Sequence, residues 1–232
     1  MVINSTHLVF DLLAWLGGMV SGVLVYRLRL RQPVTTLAST TGLPYFLSLL
    51  AGGILGAWLL GSLNLYLSDI PKAGRSILGA VAGAVFTVEL YKWRHGIRQS
   101  TGWLFVIPLC VTMAVGRIGC YLAGLDDFTY GTPSALPWAV DFGDGVLRHP
   151  VQLYESLSLL VMLAGMIWLL RYRPAQFVTR GFYLWILLYA GQRFVWEFFK
   201  PYSTVIVYLN LFHLICLGLI LYSILMLKRK DG

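Results

Sequence analysis

An arginine stands inside the apolar run of GRIGCYLAGLDDFTYG, Gly116–Gly131, and the segment turns acidic directly after it. Two other stretches also place charge among hydrocarbon. RHPVQLYES, Arg148–Ser156, carries Glu155, and GQRFVWEFFKP, Gly191–Pro201, carries Arg193 and Glu197 four residues apart. An ionised side chain at mid-membrane costs on the order of 2.5–3.5 kcal/mol on insertion scales, so such groups pair or face a polar cavity. Taken singly, each has a structural explanation: Arg193 and Glu197 can neutralise each other, and Arg117 can snorkel outward. Taken together, Arg75, Arg117, Arg148, His149, Gln152, Glu155, Arg193 and Glu197 gather on one side of the chain's expected topology. Cations held at headgroup depth suit a phosphate, which arginine grips with two parallel hydrogen bonds. The ligand implied is a phospholipid of the outer leaflet.

The elements that must position these groups are membrane helices. The 232 residues are 58% hydrophobic and only 12% charged, with a mean hydropathy of +0.73, outside the balance of a soluble domain. A helix needs about 20 residues to cross a bilayer core. Seven passes are expected: His7–Tyr26, Leu43–Leu67, Ser76–Tyr91, Trp103–Ala123, Pro150–Leu170, Gly181–Phe199 and Val205–Leu227. No basic region precedes the first and YRLRLR follows it, so it is expected to remain as a helix with its start outside. That orientation sends twelve of the eighteen cations inward, in clusters at 27–31, 92–98, 171–180 and 228–230, as the positive-inside rule requires. Lys72, Arg75, Arg117, Arg148, Arg193 and Lys200 break the pattern by falling on the outer side, with seven of the ten acids. The net charge of +8 therefore reflects topology. Neither a soluble basic domain nor a stacking platform for nucleic acid is seen.

One polytopic membrane domain over residues 1–232 is expected, without a repeat or a low-complexity segment. Gln32–Gly42 reads as a polar inner loop. Gly124–His149 is the long outer connection, where Trp138, Val140 and Phe142 alternate before Asp144-Gly145 as in a short hairpin. Gly52, Gly53, Gly56, Gly61, Gly79 and Gly83 read as a packing face between the second and third helices. Cys110, Cys120 and Cys216 have unrelated spacings, and the histidines are isolated, so no disulfide framework, metal site or cofactor is expected.

In its three charged stretches the chain resembles the bacterial prolipoprotein diacylglyceryl transferases, with similar order from about Gly74 to Leu227. His149, Pro150, Gln152, Tyr154 and Glu155 make the most specific of the three motifs. The resemblance implies a seven-helix inner-membrane enzyme that moves the diacylglyceryl group of phosphatidylglycerol onto the lipobox cysteine of a preprolipoprotein, releasing glycerol 1-phosphate. It makes Arg117 and Arg193 the important arginines, Glu197 the acid one turn after the second, and Gly131 the glycine closing the signature. The chain also departs from the family. Cys120, Ala123 and Leu125 stand where two asparagines and a glutamate are usual, and Leu78 stands where a histidine proposed as base would be.

On this view Arg117 and Arg193 hold the phosphate, Glu197 orients Arg193, and Gln152 meets the headgroup. Tyr154, Arg75, Arg148 and Gly131 complete the substrate site. His149 or Glu155 accepts the thiol proton, with Asp126 and Asp127 as further candidates. Cys120, one turn after Arg117, is a nucleophile candidate or simply a small packing residue. Two alternatives stay open: a divergent relative with another lipid donor or acceptor, and a non-catalytic binder or transporter of anionic lipids.

Overall fold

A computed structural model describes residues 5–70 and 72–229. Lys230, counted above among the inner cations, lies outside them, as do the side chains of His7 and Asp127.

The chain is mostly helical. The helices are α1 (Ser5–Val25), α2 (Arg31–Leu67), α3 (Ile77–Arg94), α4 (Val106–Ala123), α5 (Val151–Tyr172), α6 (Pro174–Glu197) and α7 (Leu211–Lys228). Four helical stretches among the described residues are long and apolar enough to cross a membrane: Leu8–Leu67, Gly102–Asp126, Val151–Tyr172 and Leu211–Lys228. The hairpin expected in the outer connection is present as β1 (Val140–Asp141) and β2 (Leu147–Arg148), antiparallel, with Val140 opposite Arg148.

Three boundaries differ from expectation. The loop expected at Gln32–Gly42 is helical up to Gly42, where φ of 66° breaks the run, and a π-helical turn at Tyr26–Leu30 joins α1 to α2. The hydroxyls of Thr35, Thr36, Ser39, Thr40 and Thr41 each donate to a carbonyl three or four residues earlier. Such back-bonding satisfies the polar side chains within the helix. The sixth helix begins at Pro174 rather than Gly181, because proline is preorganised for the first helical position. The seventh begins at Leu211 rather than Val205, because Asn210 caps it: its Oδ1 accepts from the His213 N–H at 3.0 Å while His213 Nδ1 accepts from the Asn210 N–H at 3.2 Å.

The helices fall into two compact units. The first runs from the N-terminal helix to Arg31 and includes Thr101–Pro201; the second comprises Gln32–Ser100 and the stretch from Tyr202 onward. In the second unit α2 and α3 meet through glycines. A methyl group on Gly52 or Gly56 would overlap the Gly83 or Gly79 carbonyl, so backbone lies on backbone as small-residue membrane interfaces require. Ser48 and Thr87 lock this contact by each donating to the other's carbonyl, at 3.2 and 2.8 Å. In the first unit α4 packs against α1, α5 and α6. There Ser156 Oγ donates to the Ala114 carbonyl at 2.9 Å, Trp196 Nε1 to Ser158 Oγ at 3.0 Å, and Trp185 Nε1 to Cys110 Sγ at 3.2 Å. These neutral bonds fix the axial register of the three helices that carry the charged residues.

Candidate active site

Ser156 bonded to Ala114 brings the neighbouring Glu155 level with Arg117, one turn further along α4. The Trp196–Ser158 bond does the same for Arg193 and Glu155, each three residues before its bonded neighbour. The result is a buried ionic cluster. Arg117 Nε lies 2.7 Å from Glu155 Oε2, Arg193 Nη1 pairs with Glu155 Oε1, and Lys200 Nζ lies 3.0 Å from the same Oε1. Arg193 Nη2 also reaches Glu197 Oε2 at 2.7 Å, one turn along α6. The Glu155 side chain is 1% exposed and that of Arg117 13%, which makes Arg117 the more accessible member of that pair.

Three cations face two carboxylates here, leaving a net +1. At a helical rise of about 1.5 Å per residue, Arg117 and Arg193 lie roughly 6–9 Å from the C-terminal ends of α4 and α6, and Glu155 roughly 6 Å from the N-terminal end of α5. Gln152, one turn before Glu155, is fully buried, and neither amide atom has a hydrogen-bond partner among the described residues. A buried amide is stable only when it finds a polar contact. Such a layer has what a phosphate ester requires: excess positive charge, bidentate donors and a neutral polar group beside them.

A second group borders the cluster. The Tyr154 hydroxyl accepts from Trp138 Nε1 at 2.7 Å and lies 3.5 Å from His149 Nδ1, while the His149 ring meets Phe199 edge-on at 4.9 Å. Gly131 packs on the His149 backbone, where a methyl group would overlap its carbonyl oxygen. The Thr132 N–H then donates to the Phe199 carbonyl at 2.7 Å, and the His149 N–H to the Thr132 carbonyl at 3.1 Å. The connection between α4 and α5 is thereby tied to the end of α6.

The chain matches the sequence profile of the prolipoprotein diacylglyceryl transferases over residues 9–229. It belongs to that family. The enzyme named phosphatidylglycerol--prolipoprotein diacylglyceryl transferase from Methylococcus capsulatus is 31% identical over 86% of this chain and 80% of its own length. The protein of the same name from Azoarcus sp. is 31% identical over 79% of this chain and 74% of its own. That from Nitratidesulfovibrio vulgaris strain DP4 is 31% identical over 93% and 88%. No solved structure matches the chain.

Within this transferase family member, the expected site residues separate into groups. Arg117, Glu155, Arg193 and Glu197 come together in one cluster. His149, Tyr154 and Gly131 form its border. Arg148 is engaged by the hairpin turn: it holds both Asp144 carboxylate oxygens, at 2.6 and 2.7 Å, and lies over the Tyr130 ring. Outside the helices, Asp144 is held below the usual carboxylate range by its hydrogen bonds with Arg148. Arg75 belongs to the second unit, where its guanidinium lies over Trp58. Cys120 Sγ is 3.8 Å from Arg117 Nη1. Leu78, expected from the resemblance to stand in place of a histidine, is fully buried. Lys200 is the cluster member to which the sequence alone assigns no role. Its signal is its distance of seven residues from Arg193, two turns along the same helical face if α6 is extended.

Proposed function

We propose that the protein transfers the diacylglyceryl group of phosphatidylglycerol to the cysteine thiol of a prolipoprotein, releasing glycerol 1-phosphate. The relatives' names give the substrates. The observation that carries the proposal to this chain is the buried cluster with its net +1. In the reaction a sulfur–carbon bond forms at the glycerol carbon and the bond from that carbon to the phosphate oxygen breaks. The electron pair leaves on that oxygen, and the thiol proton passes to a base. Arg117 and Arg193 hold the phosphate and compensate the charge that grows on it. Glu197 orients Arg193, and the Gln152 amide meets the headgroup glycerol.

Glu155 takes a different part from the base suggested by the sequence. Both oxygens of its carboxylate are engaged by Arg117, Arg193 and Lys200, and its work is to position those cations. His149, Tyr154 and Gly131 form the wall on the acceptor side. Arg148 braces the hairpin through Asp144. Arg75 is assigned to the anionic surface of the lipid.

The finer topology belongs to the same proposal. Seven helices cross a bacterial inner membrane, with the N-terminus outside, the C-terminus inside and the whole chain forming one polytopic enzyme. The 60-residue run Leu8–Leu67, broken at Gly42, holds residues enough for two passes of about 20 each. Arg27, Arg29 and Arg31 mark the inner side between them.

The test is a mass spectrum of a synthetic lipobox peptide incubated with purified protein and phosphatidylglycerol, with Arg193→Ala in parallel. The expected result is a diacylglyceryl increment on the cysteine with the wild type and none with the variant. An unmodified peptide in the presence of folded, lipid-loaded wild-type protein would favour the binder without chemistry, for which the buried Leu78 is the specific observation.

A further inference from the structure

Both arginines assigned to the phosphate already serve a carboxylate. Arg117 Nε lies 2.7 Å from Glu155 Oε2, and Arg193 Nη1 pairs with Oε1 of the same group. A phosphate ester brings a second anion to the same two guanidinium groups, and Glu155, with its side chain 1% exposed, must then share their charge with it. A buried charge that loses its partner costs about 3–5 kcal/mol. The site therefore needs a further cation that stays with Glu155 while the arginines serve the ligand.

Lys200 has the placement for that part. A lysine past the end of a membrane helix ordinarily snorkels to water. Here the side chain is fully buried, with Nζ 3.0 Å from Glu155 Oε1. The backbone explains why it stays. Lys200 precedes Pro201, whose ring disfavours helical geometry in the residue before it, so the chain leaves α6 at this point. The Lys200 N–H donates to the Glu197 carbonyl at 3.1 Å, and the Phe199 carbonyl accepts from the Thr132 N–H at 2.7 Å. The two arginines are placed differently: Arg193 has a second carboxylate in Glu197 at 2.7 Å, and the Arg117 side chain is 13% exposed.

We infer that Lys200, as the ammonium ion, is the positioning residue that keeps Glu155 compensated when a lipid phosphate draws on Arg117 and Arg193, an inference that rests on the diacylglyceryl-transfer reading. It acts through Glu155 and touches neither the phosphate nor the thiol. The charge count shows what it contributes. Arg117 and Arg193 against Glu155 and Glu197 sum to zero, so a phosphate diester carrying one negative charge would leave a buried net negative charge. With Lys200 the empty site stands at +1, and the same ligand brings it to neutrality. Lys200 thus makes the difference between a closed set of ion pairs and a site with room for an anion.

The experiment titrates a short-chain phosphatidylglycerol into the detergent-solubilised full-length protein and reads Kd from the rise in melting temperature, with transfer to a lipobox peptide measured alongside. The proteins are wild type, Lys200→Met, Lys200→Arg and the double variant Lys200→Met/Glu155→Gln. Lys200→Met keeps the bulk of the stem and removes the charge; it should weaken lipid binding about tenfold or more. Lys200→Arg restores the charge and should bind within about threefold of wild type. The double variant removes both members of the pair and returns the site to +1, so it should recover most of the affinity that Lys200→Met loses. Wild-type affinity in Lys200→Met would overturn the inference. So would a Lys200→Arg protein as weak as Lys200→Met, which would make the role one of shape. A double variant no better than Lys200→Met would mean that the ammonium meets the lipid directly, and would overturn it too. If Lys200→Met fails to fold, Lys200→Arg and the double variant decide: near-wild-type Kd in both supports the inference, and a tenfold loss in the double variant refutes it. This pattern of binding without any transfer by the wild type would overturn the transferase reading alone, whereas transfer with binding indifferent to Lys200 would overturn the positioning role alone.

Discussion

Glu155→Gln tests the cluster at its centre. The substitution preserves side-chain volume and removes one negative charge, taking the site from a net +1 to +2 while Arg117, Arg193 and Lys200 stay in place. Arg193 retains Glu197, but Arg117 loses the carboxylate 2.7 Å from it. Removing one partner from a buried charge pair costs about 3–5 kcal/mol, because the remaining charge is left uncompensated away from water. For a chain of this size, 1 kcal/mol moves the melting temperature by about 2–4 °C, so the expected fall is roughly 6–20 °C. The assay is intrinsic tryptophan fluorescence during thermal melting of detergent-solubilised protein, with size-exclusion chromatography to confirm the folded form at the start. Added inorganic phosphate should recover more stability in Glu155→Gln than in wild type, since a bound anion stabilises the folded state by mass action and the variant carries the larger charge excess. A fall under about 2 °C, with the same phosphate response in both proteins, would refute the coupling of these four side chains.

Two simpler substitutions probe the surroundings. Gly131→Ala forces a methyl group onto the His149 backbone, which cannot turn aside as a flexible side chain would; a loss of about 1–3 kcal/mol in chemical unfolding is expected, together with reduced transfer as the connection holding Phe199 shifts. Cys120→Ser should leave turnover at the wild-type level, since its thiol touches the edge of Arg117 and the acceptor cysteine supplies the sulfur; a covalent adduct on Cys120 in the mass spectrum, or loss of activity in the serine variant, would refute that assignment.

Much of the site is legible in the sequence because charge inside an apolar helix is costly enough to demand a partner. Arg193 and Glu197 declare themselves by their i,i+4 spacing, and Gln152 and Glu155 share a face of α5. What the sequence does not contain is the identity of long-range partners. Nothing local says that Glu155 rather than Glu197 serves Arg117, because that depends on Ser156 meeting Ala114 across two helices. Lys200 is missed for a related reason. A lysine after the last helical turn reads as an interfacial anchor, and only the Thr132–Phe199 bond from a distant loop reveals that the chain turns it inward. The helix at 31–41 is hidden by composition: threonines and serines favour loops unless their hydroxyls bond back to the helix, as they do here. Conversely, Val205–Leu209 has a helix's apolarity but closes as a turn, with Ile206 bridged to Leu209, because Asn210 sets the start of α7.

The neutral bonds around the cluster bear on why it exists. Ser156–Ala114, Trp196–Ser158 and Trp185–Cys110 already hold α4, α5 and α6 in register without any ionic contribution. A buried ion pair adds little net stability over well-packed hydrocarbon of the same volume, and breaking one is far more costly than never having built it. In a helix bundle surrounded by lipid, apolar side chains at 117, 155, 193, 197 and 200 would fill the same space with no charge to compensate. Five charged groups held there, three positive and two negative, are therefore poorly explained as a structural clasp. They are well explained as a preorganised anion site in which Glu155 restrains the cations until a phosphate joins them, and in which the excess positive charge belongs to the ligand.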